Sequence, residues 1–125
     1  MKGKLFCPCN CGLIFKAAFR NVLETLEREV GFELKITSGP RCEKYNATVT
    51  QNKNSAHVRG EAADIEVENS RQRWQLVRAI YLKGIKRVGR SDKRAFLHMD
   101  IATGPLPFPT ENLKEYPQQV DWTYE

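Results

Sequence analysis

The segment AADIEV, Ala62 to Val67, alternates so that Ala63, Ile65 and Val67 face one way while Ala62, Asp64 and Glu66 face the other. That is the period of a strand. A carboxylate within an otherwise apolar run must be paired or must coordinate a metal, because an isolated buried charge is too costly to keep. The strand is entered through SAHVRGE, a polar loop that carries His57, one of only two histidines in 125 residues.

The rest of the chain alternates helical and strand patterns. Phe19, Val22, Leu23, Leu26 and Val30 recur at helical spacing, and Gly31 supplies a left-handed stop. FELKIT then reads as a half-buried strand at 33–37, ended by Gly39 and Pro40. A short helix is expected from Arg41 to about Ala47, and the asparagine-rich TVTQNKNS reads as loop. Asn69 or Ser70 caps a second long helix reaching Leu82, with Trp74, Val77, Ile80 and Tyr81 as its expected inward stripe. Strands follow at 85–88 and 95–101, joined by the polar turn RSDK. The expected fold is α+β, a small antiparallel sheet with two main helices packed on it. One domain spans 1–125, with a core over about 6–101 and a proline-containing tail at 104–125 laid on the surface and pinned by Trp122 and Tyr124.

The strand AFLHMDI sets Phe96, His98 and Asp100 on one face, so the second histidine also shares a strand face with a carboxylate. His57, Asp64 and His98 suffice for three ligands with a fourth position left to water, the donor set of catalytic zinc. Cys7, Cys9 and Cys11 form a C-x-C-x-C run with Cys42 as a distant fourth. That spacing is cramped beside the paired C-x2-C knuckles of structural zinc, so packed thiols or one disulfide to Cys42 is the expectation, with structural zinc as the alternative.

The segments SGPRCEKYN, SAHVRGEAADIEV and FLHMDIATG, in this order, resemble the zinc D-Ala-D-Ala carboxypeptidase family. Its relatives include D,D-dipeptidases and phage L-alanyl-D-glutamate endopeptidases, and its fold is shared with the hedgehog signalling domain. The family pattern S-x-H-x-x-G-x-A-x-D is met by Ser55, His57, Gly60, Ala62 and Asp64, S-G-x-R by Ser38, Gly39 and Arg41, and the closing H-x-D by His98 and Asp100. The resemblance covers about Phe6 to Ile101, and the cysteine-rich start is typical of a small bacterial and phage branch. It implies that Zn2+ is the cofactor, that His57, Asp64 and His98 hold it, and that Arg41 and Ser55 receive the substrate's carboxylate or carbonyl. Taken alone, Arg41 reads as a surface arginine and Ser55 as a loop cap.

Many relatives place a histidine two residues, or an acid three residues, before the last ligand, where this chain has Phe96 and Ala95. The proton-transferring carboxylate is therefore sought in Asp92 and Asp100, with Glu66 as a third candidate. Asp100 lies two residues from His98, about 6.5–7 Å along a strand, and is equally suited to orienting that ligand.

The implied substrate is a stem peptide of peptidoglycan, cut by metal-assisted hydrolysis. A formal charge of +5 suits anionic wall polymers, but the basic residues are scattered and no nucleic-acid recognition motif accompanies them. No nucleic-acid partner is expected, and the alternatives are a zinc-binding module without activity or, more remotely, a small basic nucleic-acid binder. No window is long and apolar enough for a membrane span, and the start lacks a signal-peptide core. The expectation is a monomer made in the cytoplasm that meets the wall when released or carried by a phage.

Overall fold

The computed structural model describes residues 1–125 and contains six strands, three α-helices and one 3-10 turn. In chain order these are β1 (Lys2–Gly3), α1 (Ala17–Val30), β2 (Lys35–Ser38), α2 (Glu43–Val49), the 3-10 turn (Ala56–Arg59), β3 (Ala62–Glu66), α3 (Ser70–Leu82), β4 (Arg87–Ser91), β5 (Phe96–Asp100) and β6 (Val120–Thr123). The strands form one sheet in the order β1-β2-β3-β5-β4-β6.

The α+β class stands, but the sheet is mixed. Its four central strands pair antiparallel, whereas β1 runs parallel to β2 and β6 parallel to β4. The two parallel strands are the two that sequence pattern did not reveal. A two-residue strand has no period to detect, and β6 follows a proline-rich stretch.

Alternation along β3 and β5 divides the sheet into two unlike faces. Ala63, Ile65, Leu97 and Met99 point to the side covered by α1 and α3, where they join Phe19, Leu23, Leu26, Leu76 and Ile80 in the main core. α1 ends as expected, with Gly31 left-handed at φ 76° and its N–H donating to the Glu27 carbonyl. α3 is capped by the Asn69 side chain, which accepts from the Gln72 N–H.

The inward stripe of α3 differs from expectation. Leu76, Ala79 and Ile80 are buried, while Trp74 is 66% exposed and Tyr81 45% exposed. The small Ala79 lies on the buried face and favours close packing there, and Tyr81 instead donates its hydroxyl to Asp121 of β6.

The C-terminal segment is more than a surface layer. Leu106 and Tyr116 are buried with Ala56, Ala62 and Ala102 in a second apolar cluster, and β6 completes the sheet edge. β4 also lies further toward the hairpin than expected, running through Gly89 to Ser91. A Cβ on Gly89 would come within 2.5 Å of Trp122 Nε1, so the absence of a side chain there lets Trp122 lie across the strand.

Candidate metal and substrate site

The second sheet face carries the chemistry. In the register of the sheet, Asp64 on β3 stands directly opposite His98 on β5, His98 opposite Gly89 on β4, and Gly89 beside Trp122 on β6. Directly opposed residues have Cβ atoms about 4.5–5.5 Å apart, so the register alone brings a carboxylate and an imidazole together. His57 reaches the same spot from the 3-10 turn. Gly60 ends that turn in the left-handed region at φ 70°, and its N–H donates back to the Ala56 and His57 carbonyls. One ligand atom each from His57, Asp64 and His98 then lie within 4.8 Å of one another.

Each histidine is oriented from behind. His57 Nδ1 donates to the Gly39 carbonyl at 2.8 Å, which leaves Nε2 to face Asp64 Oδ1 at 3.4 Å. Burial pushes the His57 pKa down despite Asp64 nearby, so the ring is neutral and presents a lone pair. His98 Nε2 meets Asp100 Oδ2 at 2.7 Å while its Nδ1 meets Asp64 Oδ1 at 2.8 Å. Burial opposes protonation of His98, but hydrogen bonds to Asp100 and Asp64 outweigh it and raise its pKa to about 9. Burial likewise works against the Asp64 carboxylate, yet its pKa is held well below the usual carboxylate range, and with His57 neutral the stabilising donor is the protonated His98 at 2.8 Å.

This donor set fits a divalent zinc-type ion. Two nitrogens and one oxygen converge, and the outer nitrogen of each imidazole is fixed by a carbonyl or a carboxylate, as metal-bound histidines require. The long His57–Asp64 approach places two lone-pair-bearing atoms face to face, an arrangement that a cation relieves.

Arg41 and Ser55 also come together. Arg41 Nη2 donates to Ser55 Oγ at 3.0 Å, and Ser55 Oγ accepts from the His57 N–H as the cap of the 3-10 turn. The loop-cap reading of Ser55 and its place beside Arg41 are both true. Arg41 Nε is buried with no partner in the protein. The cleft has a volume of about 710 Å³ and is lined by Arg41, Ser55, His57, Asp64, His98 and Asp100, with Arg87, Arg94, Trp122 and Tyr124 around them.

The three carboxylates considered for proton transfer are placed apart. Asp92 sits in the β4–β5 turn with its side chain 70% exposed and pairs with Arg73 of α3 at 2.6 Å rather than lining the cleft. Glu66 is drawn to Lys35 at 3.6 Å. Only Asp100 lines the cleft. Its Oδ1 accepts from Arg87 Nε at 2.6 Å and from the Ala102 N–H at 3.1 Å, while its Oδ2 meets His98 Nε2 at 2.7 Å. Asp92→Asn is accordingly expected to keep zinc content and turnover within about twofold of the parent, measured side by side, since an exposed ion pair is worth little.

Trp122 and Tyr124 were expected only to pin the tail. They stand over the site, with ring centroids 5.2 and 6.3 Å from His98. Burial first, then the nearby Asp64 and Asp100 charges, push the Tyr124 hydroxyl up to about 12, so it stays a proton donor. No local signal marks these residues, because they reach the site only through the parallel pairing of β6.

A family profile described as Peptidase M15 matches residues 8–100. The chain belongs to the peptidase M15 family. The match runs from the cysteine loop to Asp100 and so includes every residue of the converging donor set. No curated protein and no solved structure matches the chain. M15 peptidases are zinc-dependent metallopeptidases, which agrees with the donor set found on the sheet face. No helix is long and apolar enough to cross a membrane.

The perturbed groups give the metal-depleted protein a defined pH profile. His98 has its folded pKa raised from 6.5 to about 9, so its contribution is complete below pH 6.5 and is lost as pH rises through about 9. His57 is lowered and loses stability as pH falls below 6.5, and Asp64 and Asp100, also lowered, lose theirs as pH falls from about 4. Melting temperature in chelator should therefore peak near pH 6.5. With zinc present the alkaline decline should disappear, because a coordinated His98 no longer holds the proton; an unchanged alkaline arm would remove His98 from the ligand set.

Proposed function

We propose that this M15 protein is a zinc-dependent peptidoglycan peptidase that hydrolyses a stem-peptide bond, of the D-Ala-D-Ala carboxypeptidase or L-Ala-D-Glu endopeptidase type. The observation that carries the reading is the convergence of His57, Asp64 and His98 in a cleft that Arg41 also lines. Both bonds lie next to a free carboxylate in the substrate, and Arg41 is placed to receive it, with Arg94 also on the cleft wall.

His57, Asp64 and His98 would hold the ion, which when bound acts as a Lewis acid and lowers the pKa of its water toward ~7. The protein's own residues do the remaining work. Gly39 and Asp100 fix the two imidazoles, and Ser55 fixes the Arg41 fork against the 3-10 turn. Arg41 binds and orients the substrate, and the Tyr124 hydroxyl is a proton donor for charge that develops on the scissile carbonyl oxygen. Trp122 and Phe96 line the cleft and limit water. A chain released at lysis or carried by a phage particle would bring this site to the wall.

The test is digestion of purified muropeptides followed by mass spectrometry, with metal analysis of the same sample. Chelation should abolish product and zinc should restore it. A second reading, a zinc-holding module without hydrolysis, draws on Phe96 and Ala95 at the positions of the missing base and on the engagement of Asp92, Glu66 and Asp100 in ion pairs. Zinc-replete protein that cleaves nothing across a panel of wall peptides would favour it.

Arg41 gives a sharper test. Arg41→Lys keeps the charge and loses the fork, so kcat/KM should fall by about tenfold or more with zinc content unchanged. Equal losses of stability and activity would make Arg41 structural instead.

A further inference from the structure

Cys7, Cys9, Cys11 and Cys42 form a second convergent donor set, with one sulfur from each within 4.8 Å of the others. All four are free thiols, so of the two expected arrangements the structure shows packed thiols and not a disulfide to Cys42. Cys9 Sγ lies 3.4 Å from Cys7 Sγ and 3.5 Å from Cys42 Sγ. Four sulfurs about 2.3 Å from a tetrahedral ion are separated by roughly 3.8 Å, close to these spacings. We propose that Cys7, Cys9, Cys11 and Cys42 bind a structural Zn2+ as a closed tetrathiolate site, separate from the histidine site.

The cramped C-x-C-x-C spacing is accommodated by a turn. Alternate residues of an extended strand are about 6.5–7 Å apart, too far for one ion to gather their sulfurs easily. Here the Asn10 N–H donates to the Cys7 carbonyl at 3.1 Å, and Asn10 and Gly12 take positive φ of 62° and 92°. The loop is closed by the bridge between Phe6 and Ile14.

Cys42 arrives from the start of α2, and backbone N–H groups already point at sulfur, from Cys42 to Cys7 Sγ at 3.4 Å and from Tyr45 to Cys42 Sγ at 3.3 Å. Such donors favour the thiolate, and each thiol would release its proton to solvent as the ion binds. Soft, four-sulfur tetrahedral sets select zinc or iron–sulfur chemistry over hard cations.

Apolar packing does little to hold this loop. Phe6 is 54% exposed and Ile14 64% exposed, although Cys7 between them is fully buried. A metal clip supplies what the missing core does not. It would tie the loop to the residue after Arg41, three residues from the Gly39 carbonyl that orients His57. Only this last consequence rests on the peptidase reading.

The experiment is metal analysis of the full chain purified in reductant, together with absorption spectra of the cobalt-substituted protein. Wild type should hold two zinc ions per chain, and its cobalt form should show strong sulfur-to-metal charge transfer with tetrahedral d–d bands. The double variant His57→Ala, His98→Ala should keep one ion and the full charge-transfer band. Cys9→Ser with Cys42→Ser should keep one ion and lose the band. A wild-type cobalt form without sulfur charge transfer overturns the site even if the cysteine variant fails to fold, and iron in place of zinc overturns the zinc assignment. Loss of hydrolysis with the band intact counts against the peptidase reading alone, and loss of the band with hydrolysis intact counts against the tetrathiolate alone.

Discussion

His57→Ala, Asp64→Ala and His98→Ala should each empty the histidine site and reduce muropeptide hydrolysis to background. Three protein ligands are what catalytic zinc sites use, and removing one leaves two donors and an enlarged hole. Loss of an outer-sphere partner costs about 10–100-fold in affinity or activity, and loss of a direct ligand should exceed that. The three variants differ in what else they disturb. Asp64→Ala removes the carboxylate that both imidazoles face, at 3.4 and 2.8 Å, so its metal-free fold should also change most with pH. His57→Ala removes a side chain whose ring bonds only to the Gly39 carbonyl on its far side, and should leave the sheet intact. Zinc stoichiometry and hydrolysis measured on each variant decide the matter. A variant that kept the full complement of zinc and wild-type turnover would strike its residue from the ligand set.

The convergence of these three residues was legible because period-2 alternation in AADIEV and AFLHMDI put Asp64 and His98 on polar-bearing strand faces. What the pattern could not give was the register that sets those two directly opposite each other. His57 was legible from the motif around Gly60, whose left-handed turn sends the histidine back over the sheet. The other half of the site was hidden. Trp122 and Tyr124 enter through a parallel edge strand more than twenty residues away in sequence from the strand they join, and parallel pairing over such a distance leaves no local trace. The cysteine cluster was hidden for a related reason. Its spacing reads as unsuitable until the turn at Asn10 and the arrival of Cys42 are known.

Asp100 joins stability to chemistry, and its two substitutions should separate them. Its side chain is fully buried and accepts from Arg87, His98 and the Ala102 N–H, while the Arg87 guanidinium lies over the rings of Tyr116 and Trp122 at 5.2 and 5.4 Å. Removing one partner of a buried ion pair leaves the other charge uncompensated and costs about 3–5 kcal/mol. Asp100→Ala should therefore destabilise the protein by about that much, read as a lowered denaturant midpoint with an unchanged slope. It should also loosen β6, because Arg87 donates to the Pro117 carbonyl just before that strand. Asp100→Asn keeps the shape and one acceptor oxygen but loses the charge that raises the His98 pKa. It should cost less stability and weaken zinc binding by about 10–100-fold, with the alkaline arm of the metal-free stability profile moved to lower pH. If Asp100→Asn bound zinc as tightly as the parent yet lost all hydrolysis, Asp100 would be handling the proton itself, and its bonds to Arg87 and His98 would be part of the reaction rather than a brace for the ligand.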